Sequence, residues 1–404
     1  MLICGINFWP DLIGAAKYTG EMAGWLAARG HEVRVVTAPP YYPEWRLGRD
    51  YSAGCYKVEQ WQCVRVYRCP LWVPVRPTGM RRILHLASFA LSSFPVMLRQ
   101  AFWRPGVVLL VEPPLFCAPA ALIVAWLSGG RAWLHIQDFE VDAAIGMGLV
   151  PSGLASRLAY AIERALLRRF HKISTISINM LARLNMKRVV RGVLFPNWVD
   201  VTAIFPLPGT SPMRRELGIR DDAVVALYSG SIANKQGLEI LIEAARMLES
   251  NTAVFFVICG NGPSKAQLQT LASGLRNVMF LPLQPAEKLN ALLNMADVHL
   301  LPQRAEAADL VMPSKLTGMF ASGRPIVATA AAGTQIAKLI MGCGLLVQPG
   351  DVVGFSAAIA HLAVRVDLRL ELGHAARRYA VEHLGRDAVL AEFERELRDR
   401  DPRQ

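Results

Sequence analysis

The sequence predicts an α/β protein built from two Rossmann-like, doubly wound domains followed by a helical C-terminal segment. Three observations carry this. Short apolar β-type runs alternate with stretches of helical periodicity along both halves of the chain. The alternation breaks once, at Phe195-Pro196-Asn197-Trp198 and the proline-rich residues 205–212, and then resumes. The length, 404 residues, is more than one core ordinarily serves and enough for two.

The first half opens with a βαβ unit: a strand over residues 2–6, a loop containing Gly14, a helix over about 17–28 and a strand over 33–37. Further strands are expected at 63–68, 107–111, 132–137 and 172–176, with a long helix over about 156–170. The second half alternates more clearly, with strands near 223–229, 253–259, 277–281, 297–301, 325–329 and 344–347. After Gly350 the pattern is helical, with amphipathic stretches at about 368–383 and 387–399. The expected domains are therefore residues 1–200 and 201–375, with 376–404 packing back on the first. Ligands of such open sheets lie at the carboxyl ends of the strands. Two domains facing each other would bring those ends to one cleft.

Composition narrows the partners. Hydrophobic residues make up 53% of the chain and charged residues 19%, mean hydropathy is +0.28 and the net charge is +12. That pairing suits a protein resting on an anionic membrane surface. Nucleic acid, the other usual partner of a basic chain, is not expected, because no interleaved aromatic and basic motif or nucleic-acid module is present. The seven cysteines form no C-x-x-C pair and are odd in number, which fits a reduced cytoplasmic protein without a metal. The N-terminal apolar run lacks a basic flank and soon meets Pro10 and Asp11, so it reads as a strand and not as a signal peptide.

Two segments bear on membrane contact. Residues 107–127 are long enough to span a bilayer, but Glu112, Pro113, Pro114 and Pro119 break them into a buried strand, a turn and a buried helix. Residues 83–98 are too short to span. Flanked by Arg81, Arg82, Arg99 and Arg104, they fit either an interfacial helix or a core helix with a basic rim.

The chemistry is concentrated at residues 228–237, Tyr-Ser-Gly-Ser-Ile-Ala-Asn-Lys-Gln-Gly. A strand ends, a turn with Gly230 and Ser231 follows, and Lys235 arrives just before a new helical face. Backbone N–H groups and the positive helix end favour an anion there, and an ammonium adds a full charge. An ordinary loop with a solvated lysine is the alternative. A second site of the same kind, Met312-Pro313-Ser314-Lys315-Leu316, suggests a diphosphate. Only nine of the 44 basic residues are lysines, so two at helix starts are unexpected. Gly260-Asn261-Gly262-Pro263 is weak as a dinucleotide fingerprint, since Lys265 stands where a third glycine belongs. As a tight turn that admits a nucleotide, with Pro263 starting a helix, it makes sense.

Together these residues resemble the GT-B glycosyltransferases of family 4, and within them the colanic-acid type of exopolysaccharide enzyme. The matching segments are Gly5-Ile6-Asn7; Lys17 to Met22; Gly30 to Val35; Thr37-Ala38-Pro39-Pro40-Tyr41-Tyr42-Pro43; Leu134 to Asp138; Glu140-Val141-Asp142-Ala143; Phe195 to Trp198; Lys235-Gln236-Gly237-Leu238-Glu239; and Pro313 to Thr317. The resemblance implies sugar transfer from a nucleotide diphosphate donor, GDP- or UDP-linked, with retention and usually without a metal. It places the donor mainly on the C-terminal domain and the acceptor on the N-terminal one. For this type the implied donor is GDP-fucose, and the acceptor an undecaprenyl-diphosphate-linked oligosaccharide on the inner face of the cell membrane.

On this reading the catalytic candidates are Asp138, Gln137, Lys235 and Lys315. The donor contacts are Gly14, Gly230, Ser231, Lys235, Gly260, Gly262, Asp309, Ser314 and Lys315, while Lys17, Tyr18 and His135 face acceptor or sugar. The chain departs from the family pattern in places. Ser231 stands where many members have an arginine, and Arg304 is a possible substitute. Gly318 and Leu310 fall where two glutamates are usual, which leaves Asp309 for the donor sugar. His135 fits a packed histidine as well as a catalytic one. An epimerase of the same fold, or a non-catalytic membrane-associated subunit of a polysaccharide assembly complex, are the alternative functions.

Overall fold

The computed structural model describes residues 1–11, 14–75, 78–146, 148–151, 153–187, 192–304 and 314–398, apart from the Lys235 side chain. The chain divides into two compact units, Met1–Pro196 with Leu390–Gln404, and Asn197–Val389. The first division thus falls four residues before the expected one, and the return to the first unit begins at Leu390, not at 376.

Unit 1 holds an eight-stranded sheet: β1 (Leu2–Cys4), β2 (Arg34–Thr37), β3 (Lys57–Trp61), β4 (Val64–Arg68), β5 (Val107–Glu112), β6 (Arg131–Ile136), β7 (Lys172–Thr175) and β8 (Gly192–Leu194). Their order is β3-β4-β2-β1-β5-β6-β7-β8, and among the described residues only the β3–β4 pair is antiparallel. Leu2, Ile3, Val35, Val36, Leu109, Leu110 and Leu134 are fully buried. Burial on both faces explains why these strands read as unbroken apolar runs. β1 lies between β2 and β5, so the direction of winding reverses between β1 and β5.

The segment 83–98 lies within the helix Met80–Gln100, and both of its readings hold in part. His85, Leu86, Phe89, Ser93 and Met97 face the core, while Leu84 and Leu91 are exposed, Leu91 at 76%. Residues 107–127 form β5, a turn and the helix Ala118–Ser128, as the sequence reading expects. Among the described residues no helix is long and apolar enough to cross a membrane.

Unit 2 holds a six-stranded, all-parallel sheet: β9 (Val224–Ser229), β10 (Val254–Cys259), β11 (Val278–Leu281), β12 (Val298–Leu301), β13 (Ile326–Thr329) and β14 (Gly344–Val347), in the order β11-β10-β9-β12-β13-β14. The winding reverses between β9 and β12, where open α/β sheets bind their ligands. The helices Glu239–Met247 and Val352–Val364 bury Leu241, Ala244, Phe355 and Ile359 in one core cluster with Tyr228 and Phe256. The helix Val366–His383 packs on Lys315–Ala321 through Ala376 and Ala380, which is why residues 376–383 stay with this unit.

The last helix, Arg386–Arg398, enters unit 1 at Leu390. There Phe393 stacks on Phe195 at 4.4 Å and tilts against Trp133 at 4.9 Å. Glu394, only 4% exposed, meets Arg29 Nε at 2.8 Å, His31 Nε2 at 2.7 Å and Arg398 at 2.7 Å.

Candidate active site

At the reversal point of unit 2, β9 ends in Ser229 and the chain turns through Gly230. Gly230 N donates to the Cys259 carbonyl at 3.0 Å, Ile232 N to Asn261 O at 2.8 Å and Ser264 N to Ile232 O at 3.1 Å. The turns after β9 and β10 are thereby joined backbone to backbone. A Cβ at 260 would lie 1.9 Å from Gly230 O, and one at 262 would lie 2.1 Å from Ile232 O. Loop-to-loop contact is therefore what requires glycine at these two positions, whereas the sequence reading expected the close approach to be that of a nucleotide. The next helix begins at Lys265, two residues beyond Pro263, and the Lys265 ammonium bonds Gly260 O at 3.1 Å and Asn261 Oδ1 at 3.2 Å.

Lys235 lies in a short 3-10 turn, Asn234–Gln236, closed by Gly237 in the left-handed conformation at φ 63°. The helix itself starts at Glu239, so Lys235 precedes it by one turn and is not at its first residue. The Lys235 side chain lies outside the described residues. Arg304, expected as a substitute cation, is engaged elsewhere. Its Nε donates to Asn234 O at 2.7 Å, and its Nη2 donates to Asn234 Oδ1 at 2.9 Å and pairs with Glu239 at 3.1 Å. Arg304 braces the Lys235 turn, and its charge is met by Glu239.

Across the reversal point the helix Lys315–Ala321 opens at Lys315. Its ammonium nitrogen is buried and has no hydrogen-bond partner among the described residues. It lies 3.9 Å from the centre of the Tyr228 ring. A Cβ on Gly230 would lie 3.3 Å from Lys315 Cδ, so the lysine stem runs directly against that glycine. Burial brings the Lys315 ammonium down to about 7. Ser314 precedes the helix with its side chain exposed and not capping it, and Ser231 is also exposed. Asp309 lies outside the described residues. A buried ammonium that no described residue pairs with, beside a glycine turn, is an arrangement that an anion completes.

In unit 1 the candidates scatter more. Gly14 has φ 61° and ψ −139°, a conformation only glycine adopts easily, and it faces open space ahead of the helix Ala15–Ala28. On that helix Lys17 sits 4.0 Å from Glu21, while Tyr18 is buried. Gln137 and Asp138 follow β6. The Asp138 carboxylate is near enough to Tyr42 to help hold its phenol above the ordinary range, although burial is the larger cause. His135 is 4% exposed, with Nδ1 2.9 Å from Ser174 Oγ and Nε2 2.8 Å from the Gln137 amide. Burial lowers it to about 3, so it is a neutral, packed histidine that orients Gln137 and is not itself at a surface for substrate.

Three groups at these strand ends were not singled out from the sequence. Glu112, at the end of β5, is 1% exposed and held well above the usual carboxylate range by burial and by Glu140. It accepts from the Glu140 N–H at 3.2 Å, and Glu140 in turn accepts from Leu115 N–H at 2.6 Å. Asp11, after β1, is raised to about 6 by burial. Together they put two carboxyls of raised pKa at the end of β5 and in the loop after β1, the strands that flank the reversal. Tyr228 is the third group. Its one outward sign in the sequence is a hydroxyl-bearing aromatic one residue before the Ser-Gly turn.

Both units match known sequence families. Residues 14–198 match the glycosyl transferase 4-like domain, and residues 223–364 match the glycosyl transferases group 1. The chain belongs to the GT-B glycosyltransferases of family 4. It is 43% identical over 410 residues to the putative colanic acid biosynthesis glycosyl transferase WcaI of Escherichia coli (strain K12), covering 98% of this chain and 99% of that protein. Among solved structures it resembles a sucrose-phosphate synthase from Thermosynechococcus elongatus, with TM-score 0.74, 18% identity and 98% of each chain covered. It also resembles Anabaena HepE in complex with UDP and glucose, with TM-score 0.71, 14% identity and coverage of 98% and 99%. The glycosyltransferase therefore has the two-sheet architecture expected from its sequence.

Proposed function

We propose that this glycosyltransferase moves a sugar from a nucleotide diphosphate donor, with retention at the anomeric carbon, onto an undecaprenyl-diphosphate-linked oligosaccharide during synthesis of a colanic-acid-type exopolysaccharide. GDP-fucose is the proposed donor. The observation that carries the reading is the buried Lys315 ammonium, unpaired among the described residues, beside the Gly230 turn, at the point where the winding of the donor-side sheet reverses. Similarity along the full length of a colanic acid biosynthesis protein supports the pathway.

The chemical task is to let a nucleoside diphosphate leave while the sugar ring becomes cationic. Negative charge developing on the phosphate oxygens is met by fixed cations and N–H dipoles, which cost no reorganisation at the moment of reaction. Lys235 and Lys315 are the proposed cations, with Gly230, Ser231 and Ser314 lining the approach. Gln137 and Asp138, the first oriented by His135, are the proposed holders of sugar or acceptor hydroxyls. Membrane attachment is proposed through the exposed side of Met80–Gln100 and the neighbouring Phe102, which is 91% exposed, with Arg81, Arg82 and Arg99 meeting lipid phosphates.

Thermal unfolding with GDP, UDP and ADP in parallel tests the donor, since a ligand that binds only the folded state raises the midpoint. A selective rise with GDP is expected. A rise with UDP instead discards GDP-fucose and keeps the transferase. No response to any, together with no transfer to lipid-linked acceptors, favours a non-catalytic subunit, and donor conversion without acceptor favours an epimerase. Proton NMR of the product linkage decides retention.

A further inference from the structure

We propose that Tyr228 is a positioning residue for the donor: its ring face holds the Lys315 ammonium, unpaired among the described residues, ready for the diphosphate. The inference rests on the reading above that Lys315 binds the donor's diphosphate.

The lysine occupies a built slot. Gly230, without a Cβ, lets the stem pass along one side, and the Tyr228 ring lies beneath the ammonium at 3.9 Å. The Tyr228 hydroxyl donates to Ser231 O at 2.6 Å, which fixes the ring and ties it to the turn that the diphosphate would meet. Tyr228 is itself fully buried, with its phenol pushed up by burial and therefore neutral. Its contribution is the negative face of the ring, which attracts a cation within about 6 Å and does so most strongly where water is excluded. Among the described residues no carboxylate pairs with Lys315. Arg304 is a like charge and turns to Asn234 and Glu239, and burial alone depresses the ammonium.

A pH signature follows. The diphosphate takes the charged form of Lys315, and the ring favours that form before any ligand arrives. Below neutral pH the lysine is charged with or without help, so weakening the ring changes little. Above neutral pH a weaker ring leaves fewer charged lysines, and the donor must recruit a proton as it binds. A defect that merely loosened the fold would weaken binding at both pH values.

The test is calorimetric titration of GDP and UDP at pH 6 and pH 8.5 into the wild type, Tyr228→Phe, a series with fluorinated phenylalanines at 228, and Lys315→Ala. Fluorination keeps the ring's shape while draining its negative face, so these variants are expected to fold. Tyr228→Phe should bind within about threefold of the wild type, and the trifluorinated ring about tenfold more weakly at pH 8.5 with little change at pH 6. Equal affinity across the series at pH 8.5, or the same loss at both pH values, overturns the role of Tyr228. Undiminished binding by Lys315→Ala overturns the donor site itself, whatever the ring series does.

Discussion

Arg304 grips Asn234 twice, through the backbone carbonyl at 2.7 Å and the side-chain oxygen at 2.9 Å, although 70 residues separate them. The same guanidinium reaches Glu239, at the start of the following helix. One side chain from the end of β12 thus spans both sides of the turn that carries Lys235. Arg304→Ala should raise the KM for donor roughly tenfold while changing kcat less, because a turn lacking its brace must be ordered at each binding event. Arg304→Lys should rescue this only in part, since an ammonium cannot reproduce the planar fork. Steady-state kinetics with varied donor reads both.

Lys315 should cost the unliganded protein stability. An ordinary lysine titrates near about 10.4, and here burial holds it at about 7. Between those values the unfolded chain binds more protons than the folded one, so stability rises as pH increases through that window. Lys315→Met should abolish the rise and, at pH 7 without nucleotide, be more stable by about 1–3 kcal/mol while losing donor binding. Chemical denaturation at pH 7 and pH 10 measures both effects.

The Glu394 cluster should show a pH dependence of the same sign in a separate, acid window. His31, Arg29 and Arg398 hold its carboxyl at about 2, well below the ordinary value near about 4.3. Its contribution is fully present above the ordinary value and disappears as pH falls toward about 2. Acid should therefore release the last helix, and Trp133, which packs on Phe393, should report it by fluorescence. Glu394→Ala should cost about 1–3 kcal/mol at pH 7, less than a fully buried pair would, because Arg29 and Arg398 are well exposed.

Gly262→Ala places a methyl 2.1 Å from a backbone oxygen that no rotamer change can move. The turns after β9 and β10 must separate, at about 1–3 kcal/mol. Urea unfolding should show the loss, and nucleotide affinity should fall with it because the Gly230 turn shifts.

Membrane attachment has its own test in flotation with anionic vesicles. Arg81→Glu, Arg82→Glu and Arg99→Glu together remove about 1 kcal/mol of attraction for each charge lost, so retention should collapse. Phe102→Ser should weaken it further without affecting the fold, since that side chain is exposed. Attachment at equal strength in the charge-reversed protein would dismiss this face.

Most of the architecture was legible because buried parallel strands leave continuous apolar runs. β3 escaped because Lys57–Trp61 is an exposed edge strand, and β8 because three residues are too few for any period. Lys315 was legible from its position before an apolar helix. Tyr228 was not, because a tyrosine inside a strand reads as core, and its lysine partner comes from 87 positions further along the chain. Arg304 was misjudged for the same reason: position in sequence shows where a charge is, not which carboxylate already answers it. His135 and Gln137 were correctly read as sharing one face of β6, and the contact between them turns the histidine into a support.

Phe393 closes the aromatic stack on Phe195 and Trp133, and Glu394 draws together Arg29 and His31. The first domain therefore waits until the second has been made before these side chains arrive. During synthesis, Trp133 and Phe195 remain uncovered while the second domain is made. Translated before the other half, this half of the enzyme is finished after it.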